Sequence, residues 1–237
     1  MEVLSIKNLT VKFDSQTVIE NLNLSVEWGE NLAVIGPNGS GKTVLLKALL
    51  GIIRYSGEVH WASGVKIGYV PQKIDADRYL PVNLLDLMKA KSEILRLDKK
   101  ETKSVLETAE ISHKVLSTPV GHLSGGQFQR ALIAFALLGS PNVILFDEPT
   151  ASLDQLSEER IYELVSNLQK KRDITVLLVS HDLSVVSQYA TKVLCLNKER
   201  ICYGTPAEAL RPEILDELYG RHQKYYQHGD HKHSSNK

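Results

Sequence analysis

The chain has 237 residues, of which 43% are hydrophobic, enough to bury the core of a globular domain. Lysine and arginine together number 28, as do aspartate and glutamate, so the formal net charge is +0. No overall basic field exists to attract nucleic acid, and a nucleic-acid partner is therefore disfavoured.

The N-terminus and the most apolar stretch indicate where the protein resides. Residues 1–7 lack the basic start and the apolar run of a signal peptide. Residues 131–146 are the most apolar stretch, but residues 139–142 (Gly-Ser-Pro-Asn) interrupt them, and a membrane span needs roughly 20 apolar residues. We expect a cytosolic protein that reaches the cytoplasmic face of the cell membrane only through a partner.

The first 35 residues predict a β-rich segment. Apolar and polar positions alternate, which favours short antiparallel strands with turns at residues 14–15 and 28–29. Phe13 precedes the first turn, and it is either a core aromatic or an exposed ring that stacks on adenine. The apolar run 32–35 predicts a buried parallel strand.

A phosphate-binding loop follows that strand. Residues 36–43 fit the pattern G-x-x-x-x-G-K-[ST], and the apolar residues after them predict a helix that ends at Gly51. Glycines let backbone amides turn toward phosphate oxygens, Lys42 adds charge for the β- and γ-phosphates, and Thr43 offers a hydroxyl to Mg²⁺. We expect ATP and Mg²⁺ here, bound by Gly36, Pro37, Asn38, Gly39, Ser40, Gly41, Lys42 and Thr43.

The rest of the chain predicts an α/β fold. Residues 57–61 and 66–70 predict two further strands, the second ending at Pro71 and Gln72, and residues 83–139 are helical in pattern. Strand and helix signals then alternate, which indicates parallel strands joined by crossover helices. The expected fold is a mainly parallel core sheet with an antiparallel β flank and an inserted α-helical block.

Residues 143–148 have the form of a Walker B strand, with four apolar residues followed by Asp147 and Glu148. Asp147 would hold a Mg²⁺-bound water, and Glu148 would act as the general base on the attacking water. Both acids would lie at the strand edge where ligands bind in open α/β sheets. The alternative is a solvated start of a loop, which an apolar run beside a phosphate loop disfavours.

Residues 123–127 (Leu-Ser-Gly-Gly-Gln) form a second glycine-bearing loop that leads into a predicted helix over residues 129–138. Alone, this loop could be a helix cap; it could also be a second anion-binding helix start. Together with the phosphate loop it resembles the signature of ATP-binding cassette (ABC) ATPases.

The resemblance covers nearly the whole chain, and the motifs occur in the family's order. They are Phe13, residues 36–43, Gln72, residues 123–127, Asp147-Glu148, Ser152-Leu153-Asp154 and His181. It implies a P-loop NTPase fold, with residues 1–220 as a single ABC ATPase domain and a helical subdomain at about 83–139. It also implies a head-to-tail homodimer, in which the loop residues Ser124, Gly125, Gly126 and Gln127 of one chain close over the nucleotide bound by the other.

The same resemblance implies roles for isolated polar residues. Gln72 would sense Mg²⁺ and water, Asp154 would bridge the two sites, and His181 would contact the γ-phosphate. With Glu148, this makes Gln72 and His181 the candidate catalytic residues. Each could instead be an ordinary capped or exposed polar side chain.

The last seventeen residues, 221–237, predict a disordered histidine-bearing tail. His228, His231 and His233, with Asp230 among them, offer ligands suited to Zn²⁺ or another transition metal. The alternative is a solvated chain end. The tail and residues 193–206 make the chain resemble the ATPases of bacterial high-affinity zinc importers, although manganese and iron importers have similar cassettes.

The partners implied are a second cassette, an integral membrane permease and, indirectly, a substrate-binding protein. The segment 75–80 is expected to contact the permease. The rival is a soluble ABC ATPase that acts on DNA or ribosomes. It is disfavoured because the chain has one copy of each motif, no long heptad run and no net basic charge.

Two cysteines, Cys195 and Cys202, flank a turn-like sequence and could face each other across a hairpin. In the cytosol we expect both to be reduced thiols. A zinc-binding or redox role is the alternative.

Overall fold

The computed structural model describes residues 1–72, 81–150, 153–197 and 201–220. The segment 75–80, Ser152 and the tail 221–237, on which predictions were made above, lie outside the described residues. The strands are β1 (Glu2–Phe13), β2 (Gln16–Glu27), β3 (Asn31–Ile35), β4 (Ser56–Trp61), β5 (Ile67–Val70), β6 (Val143–Asp147), β7 (Thr175–Val179), β8 (Lys192–Leu196) and β9 (Ile201–Gly204). The α-helices are α1 (Lys42–Leu49), α2 (Leu84–Ile94), α3 (Lys99–Thr108), α4 (His113–Ser117), α5 (Gly125–Leu137), α6 (Gln155–Arg172), α7 (Leu183–Tyr189), α8 (Pro206–Ala209) and α9 (Pro212–Tyr219).

The predicted β flank is a three-stranded antiparallel sheet in the order β2-β1-β4. Its two long strands follow the alternation of the sequence, with one face buried in a core that it shares with α1. The turn between β1 and β2 falls at residues 14–15, as predicted, where Asp14 adopts φ 49°. β4 comes from residues 57–61, while the second strand predicted beside it, β5, belongs to the other sheet.

The core is a six-stranded sheet in the order β5-β6-β7-β3-β8-β9, parallel except for the final β8-β9 pair. Every residue of β3, β6 and β7 is buried, because these central strands are covered on both faces. The prediction of parallel strands with crossover helices is confirmed. β3 and β6 end at the same edge of the sheet with only β7 between them, and this arrangement positions the site.

The helical block lies between β5 and β6 in the chain. It contains α2 to α5 and a short 3₁₀ helix, Val120–His122. Its buried residues, among them Met88 and Val105, share one hydrophobic core with Phe146 of the sheet. α5 begins at Gly125, earlier than predicted, because the glycines of the second loop form its first turn. Within the described ranges, no helix is long and apolar enough to cross a bilayer.

The cysteines do lie opposite each other across the β8-β9 hairpin, but they form a disulfide and are not the reduced thiols that we expected. The antiparallel register pairs Cys195 directly with Cys202, at a Cα–Cα distance of 4.8 Å. This separation is within the range that a disulfide requires. The predicted facing of the two cysteines is confirmed, while the expectation that they are reduced, which was argued from a cytosolic location, is wrong for this structure.

Candidate functional site

The phosphate-binding loop leaves the end of β3 and enters α1 in a conformation that needs glycine at two points. A Cβ on Gly36 would lie 2.1 Å from the carbonyl oxygen of Leu196, so no larger residue fits. Gly41 caps α1 at φ 102°, in the left-handed region that glycine adopts readily. The loop therefore packs closely on β8 while its backbone turns toward the sheet edge.

Lys42 lies inside this loop and is 6% exposed. Its Nζ donates hydrogen bonds to the carbonyl oxygens of Gly36 (2.9 Å) and Pro37 (3.2 Å). Burial lowers the pKa of Lys42, and the nearby carboxylates, chiefly Glu148, oppose that shift. The ammonium thus sits at the centre of the loop, where the β- and γ-phosphates of a nucleotide would lie.

Asp147 ends β6 and is 1% exposed. Its Oδ1 accepts a hydrogen bond from Thr43 Oγ1 at 2.9 Å, and its Oδ2 accepts one from the Tyr69 hydroxyl at 3.3 Å. Burial raises the pKa of Asp147, while the hydrogen bond from Thr43 opposes the rise. The structure thus brings together two of the three residues that sequence analysis related to Mg²⁺, the third being Gln72. A hydroxyl and a carboxylate are the hard oxygen ligands that Mg²⁺ prefers.

Glu148 is held in an unusual backbone conformation, with φ 46° in the left-handed region. Its amide donates to the carbonyl oxygen of Val179 (3.1 Å). Its side chain accepts a hydrogen bond from Gln72 Nε2 at 2.6 Å, and its other oxygen lies 3.7 Å from Lys42 Nζ. Three of the predicted residues, Lys42, Gln72 and Glu148, therefore form one polar cluster.

The residues of the second glycine-bearing loop and Asp154 form helix caps. Ser124 accepts a hydrogen bond from the amide of Gln127, whose side chain accepts from the amide of Ser124, a capping box. Asp154 caps α6 by accepting from Ser157. A Cβ on Gly126 would lie 3.3 Å from Ser157 Oγ, so the two loops are neighbours. Gly125 opens the first turn of α5.

Phe13 and His181 are both exposed to solvent. Phe13 ends β1 and is 47% exposed, so the core alternative for this ring is wrong. His181 follows β7, at the same sheet edge as Asp147 and the phosphate loop. Neither belongs to the cluster around Lys42 and Glu148 in the single chain.

Tyr69 was missed by sequence analysis. Burial raises its pKa to about 12, with a further contribution from the Asp147 charge, so the hydroxyl keeps its proton at neutral pH and can donate. The alternation of side chains along a strand could have identified Tyr69. Tyr69 pairs with Leu145, and Asp147 lies two residues after Leu145, so Tyr69 and Asp147 point to the same face of the sheet. Asp147 is then the diagonal neighbour, within reach of an aromatic side chain.

Metal ligands for a second, transition-metal site are not found in the described part of the chain. No group of three or more histidine, cysteine, aspartate or glutamate side chains there could hold an ion. The predicted ligands His228, His231 and His233 lie outside the described residues. The cation for which the described donors fit is therefore Mg²⁺ at Thr43 and Asp147.

The fold and the site together define a P-loop nucleoside triphosphatase. Such chemistry needs a glycine loop with an embedded lysine, two acids at the end of a strand two positions away in the sheet, and a glutamine that donates to the second acid. A family model described as ABC transporter matches residues 19–151. The chain belongs to the ABC transporter family, and it is an ATPase of that family.

Two relatives illustrate the closeness of the match. A metal transport system ATP-binding protein of Thermotoga maritima is 37% identical over 222 residues, covering 92% of this chain and 91% of its own. The zinc import ATP-binding protein ZnuC of Jannaschia sp. is 38% identical over 221 residues, covering 93% of this chain and 89% of its own.

Solved structures agree with the fold. A metal-chelate type ABC transporter in an inward-facing conformation matches with a TM-score of 0.83 at 29% identity, over 92% of this chain and 88% of that one. An ATP-binding cassette solved as a dimer, bound to ADP and phosphate after hydrolysis, matches with a TM-score of 0.73 at 26% identity. That match covers 86% of this chain and 98% of the other.

Proposed function

We propose that this protein is the ATP-hydrolysing subunit of an ABC importer and that it energises the uptake of a transition-metal ion, zinc. The observation that carries the ATPase part is the cluster in which Thr43 contacts Asp147 while Lys42 and Gln72 both contact Glu148. The metal assignment draws support from relatives that are named for zinc import and metal transport.

Each residue of the cluster has a distinct role in hydrolysis. Mg²⁺, when bound, neutralises charge on the β- and γ-phosphate oxygens. Thr43 and Asp147 would hold it, Asp147 through a bound water. Lys42 turns from Glu148 to the phosphates, and this frees the Glu148 carboxylate to accept a proton from the attacking water. Gln72 orients that water, and His181 contacts the γ-phosphate.

Hydrolysis depends on two copies of the chain. Ser124 to Gln127 of one copy close over the nucleotide bound by the phosphate loop of the other, and Asp154 bridges the two sites. The solvent exposure of Ser124 and the dimer formed by a related cassette support this arrangement. Phe13 stacks on adenine, for which its exposed ring is suited.

The working assembly contains more than the cassettes. Residues 1–220 are one ATPase domain with the helical subdomain at about 83–139, and they dock on a membrane permease at the cytoplasmic face of the cell membrane. A substrate-binding protein delivers the metal to that permease. The tail 221–237, through His228, His231 and His233, binds Zn²⁺ weakly and reversibly, because chelation costs the entropy of fixing the side chains that hold the ion.

The general-base assignment is tested with Glu148→Gln. The amide cannot accept the water proton, so we expect Mg²⁺–ATP binding to persist, hydrolysis to fall at least about 100-fold, and a dimer to accumulate in size-exclusion chromatography. Glu110→Gln is a matched control, since Glu110 also has a left-handed φ (54°) but lies in the helical block, paired with Arg130. Hydrolysis by Glu148→Gln at the parent rate would refute the assignment.

The transported metal is tested in a deletion strain grown under chelation, with each metal added back separately. We expect added zinc to restore growth of the deletion strain, and manganese or iron not to restore it. Rescue of the deletion by manganese or iron, but not by zinc, would overturn the zinc assignment and leave the ATPase assignment standing. Removal of residues 222–237 should spare ATP hydrolysis while changing any effect of zinc on it.

A further inference from the structure

Strand β5 and the residue pair after it serve both acids of the site. Tyr69 lies within β5 and donates to Asp147 at 3.3 Å, while Gln72 follows β5 and donates to Glu148 at 2.6 Å. One short segment thus supplies a side-chain donor to each carboxylate. Gln72 was identified from its motif, but no role is yet attached to Tyr69.

The hydrogen bonds of Asp147 can persist when a nucleotide binds. The Thr43 hydroxyl donates its proton to Oδ1 and keeps two lone pairs, one of which it can offer to Mg²⁺. Tyr69 donates to Oδ2, the other oxygen of the same carboxylate. Oδ1 is therefore the oxygen hydrogen-bonded to the proposed metal ligand Thr43, and Oδ2 is the oxygen that Tyr69 holds.

We propose that Tyr69 is a positioning residue for the Mg²⁺ site, which acts by fixing the Asp147 carboxylate through its Oδ2. The inference rests on the proposed ATPase function and deepens it. In this role Tyr69 acts through Asp147 and is not itself a ligand of the metal. Its hydroxyl keeps one oxygen of Asp147 occupied, so that the other faces the metal in a single orientation.

The ring of Tyr69 is well held for this task. It is partly buried against the core beneath the antiparallel sheet, and its backbone pairs with Leu145 in the parallel ladder, two residues before Asp147. A phenol has few rotatable bonds, so a ring fixed by packing presents its hydroxyl at a defined point. Phenylalanine would keep the ring and remove only the hydrogen bond.

The test compares Tyr69→Phe with Tyr203→Phe. The Tyr203 hydroxyl also donates one hydrogen bond, to the carbonyl oxygen of Ser25 at 3.0 Å, but it lies on β9, away from the acids. Mn²⁺ serves as the probe: its binding in the presence of a non-hydrolysable ATP analogue is titrated by electron paramagnetic resonance. Nucleotide binding with the metal chelated is measured in parallel, and thermal melting checks folding.

We expect Tyr69→Phe to weaken Mn²⁺ binding about tenfold, the lower end of the usual effect of removing a partner of a metal ligand. Metal-free nucleotide binding should be unchanged, and Tyr203→Phe should match the parent in both measurements. Asp147→Asn calibrates the assay. If Asp147→Asn weakened Mn²⁺ binding and Tyr69→Phe did not, the inference would be overturned while the ATPase proposal stood.

Two further outcomes distinguish failure of the inference about Tyr69 from failure of the proposed ATPase function. If the parent bound no metal with the nucleotide analogue, the proposed function itself would fall, and the inference with it. If Tyr69→Phe lost metal-free nucleotide binding as well, Tyr69 would be a structural support of the whole site, and the specific positioning role would be refuted.

Discussion

Asp147 is a carboxylate that folding removes from water before any cation is present to stabilise it. Burial raises its pKa in the folded protein, so the unfolded chain loses this proton first as the pH rises. Folding stability therefore falls across the window from the ordinary aspartate pKa, about 4, up to the raised value. Above that window the nucleotide-free protein carries a buried charge that opposes folding.

Asp147→Asn should accordingly raise the melting temperature of the nucleotide-free protein at neutral pH. We expect a rise of about 2–4 °C, the shift that about 1 kcal/mol produces in a chain of this size. The difference from the parent should vanish below about pH 4, where the parent carboxyl is protonated in both states. Differential scanning calorimetry at several pH values measures it.

Asp154→Asn is the matched control, because the pKa of Asp154 is shifted the other way. Hydrogen bonds from Ser157 lower it, so its contribution to stability is present at neutral pH and is lost on acidification. Asparagine caps helices about as well as aspartate, so this variant should melt at or slightly below the parent temperature. Equal stabilisation by both variants would contradict the argument from burial.

The residue that precedes α5 has two roles. Ser124 caps the helix, and it is also the proposed contact to a nucleotide on a second chain. Ser124→Ala should lose the cap, at a cost of about 1 kcal/mol. Ser124→Asp should keep the cap and the melting temperature, because aspartate caps as well as serine. Its added charge would face the γ-phosphate and should abolish ATP-driven dimerisation.

Ser112 provides the comparison. It caps α4 by accepting from the amide of Val115, in the same helical block but at the start of another helix. Ser112→Ala and Ser112→Asp should reproduce the effects on melting and leave dimerisation intact, as measured by light scattering in Mg²⁺–ATP with Glu148→Gln as background. Dimerisation that survived Ser124→Asp would confine Ser124 to its capping role.

The elements that sequence analysis predicted well were those with one strong periodicity. β3 spans Asn31–Ile35, within one residue of the predicted run 32–35, and β6 ends at Asp147, directly before Glu148. The start of α5 was placed too late because two glycines argue against helix by propensity, yet Ser124 and Gln127 cap the first turn around them. β4 and β5 have similar sequence patterns, but they belong to different sheets. The local pattern does not encode which strands pair.

Part of the site forms only through the register of the strands in the assembled sheet. Motifs identified Lys42, Thr43, Asp147 and Glu148, because their chemistry is tied to fixed spacing in the chain. Tyr69 was not identified, because its contact depends on which strand lies beside which and on the alignment of single residues. The facing of Cys195 and Cys202 was predicted, but their disulfide was not, because the expected reduced state was argued from a cytosolic location. Long-range pairing of this kind becomes visible only when the sheet is assembled.

The left-handed backbone at Glu148 has a consequence for how this chain can change. An L-residue with a side chain gives up about 1–2 kcal/mol in that region relative to a relaxed conformation, and glycine does not. Random variation selected for robustness alone would therefore favour glycine at residue 148 and, in the same step, erase the proposed general base. Glutamate persists there only while ATP hydrolysis is under selection. The residue at position 148 therefore distinguishes descendants of this cassette that hydrolyse ATP from descendants that keep the fold and have lost the activity.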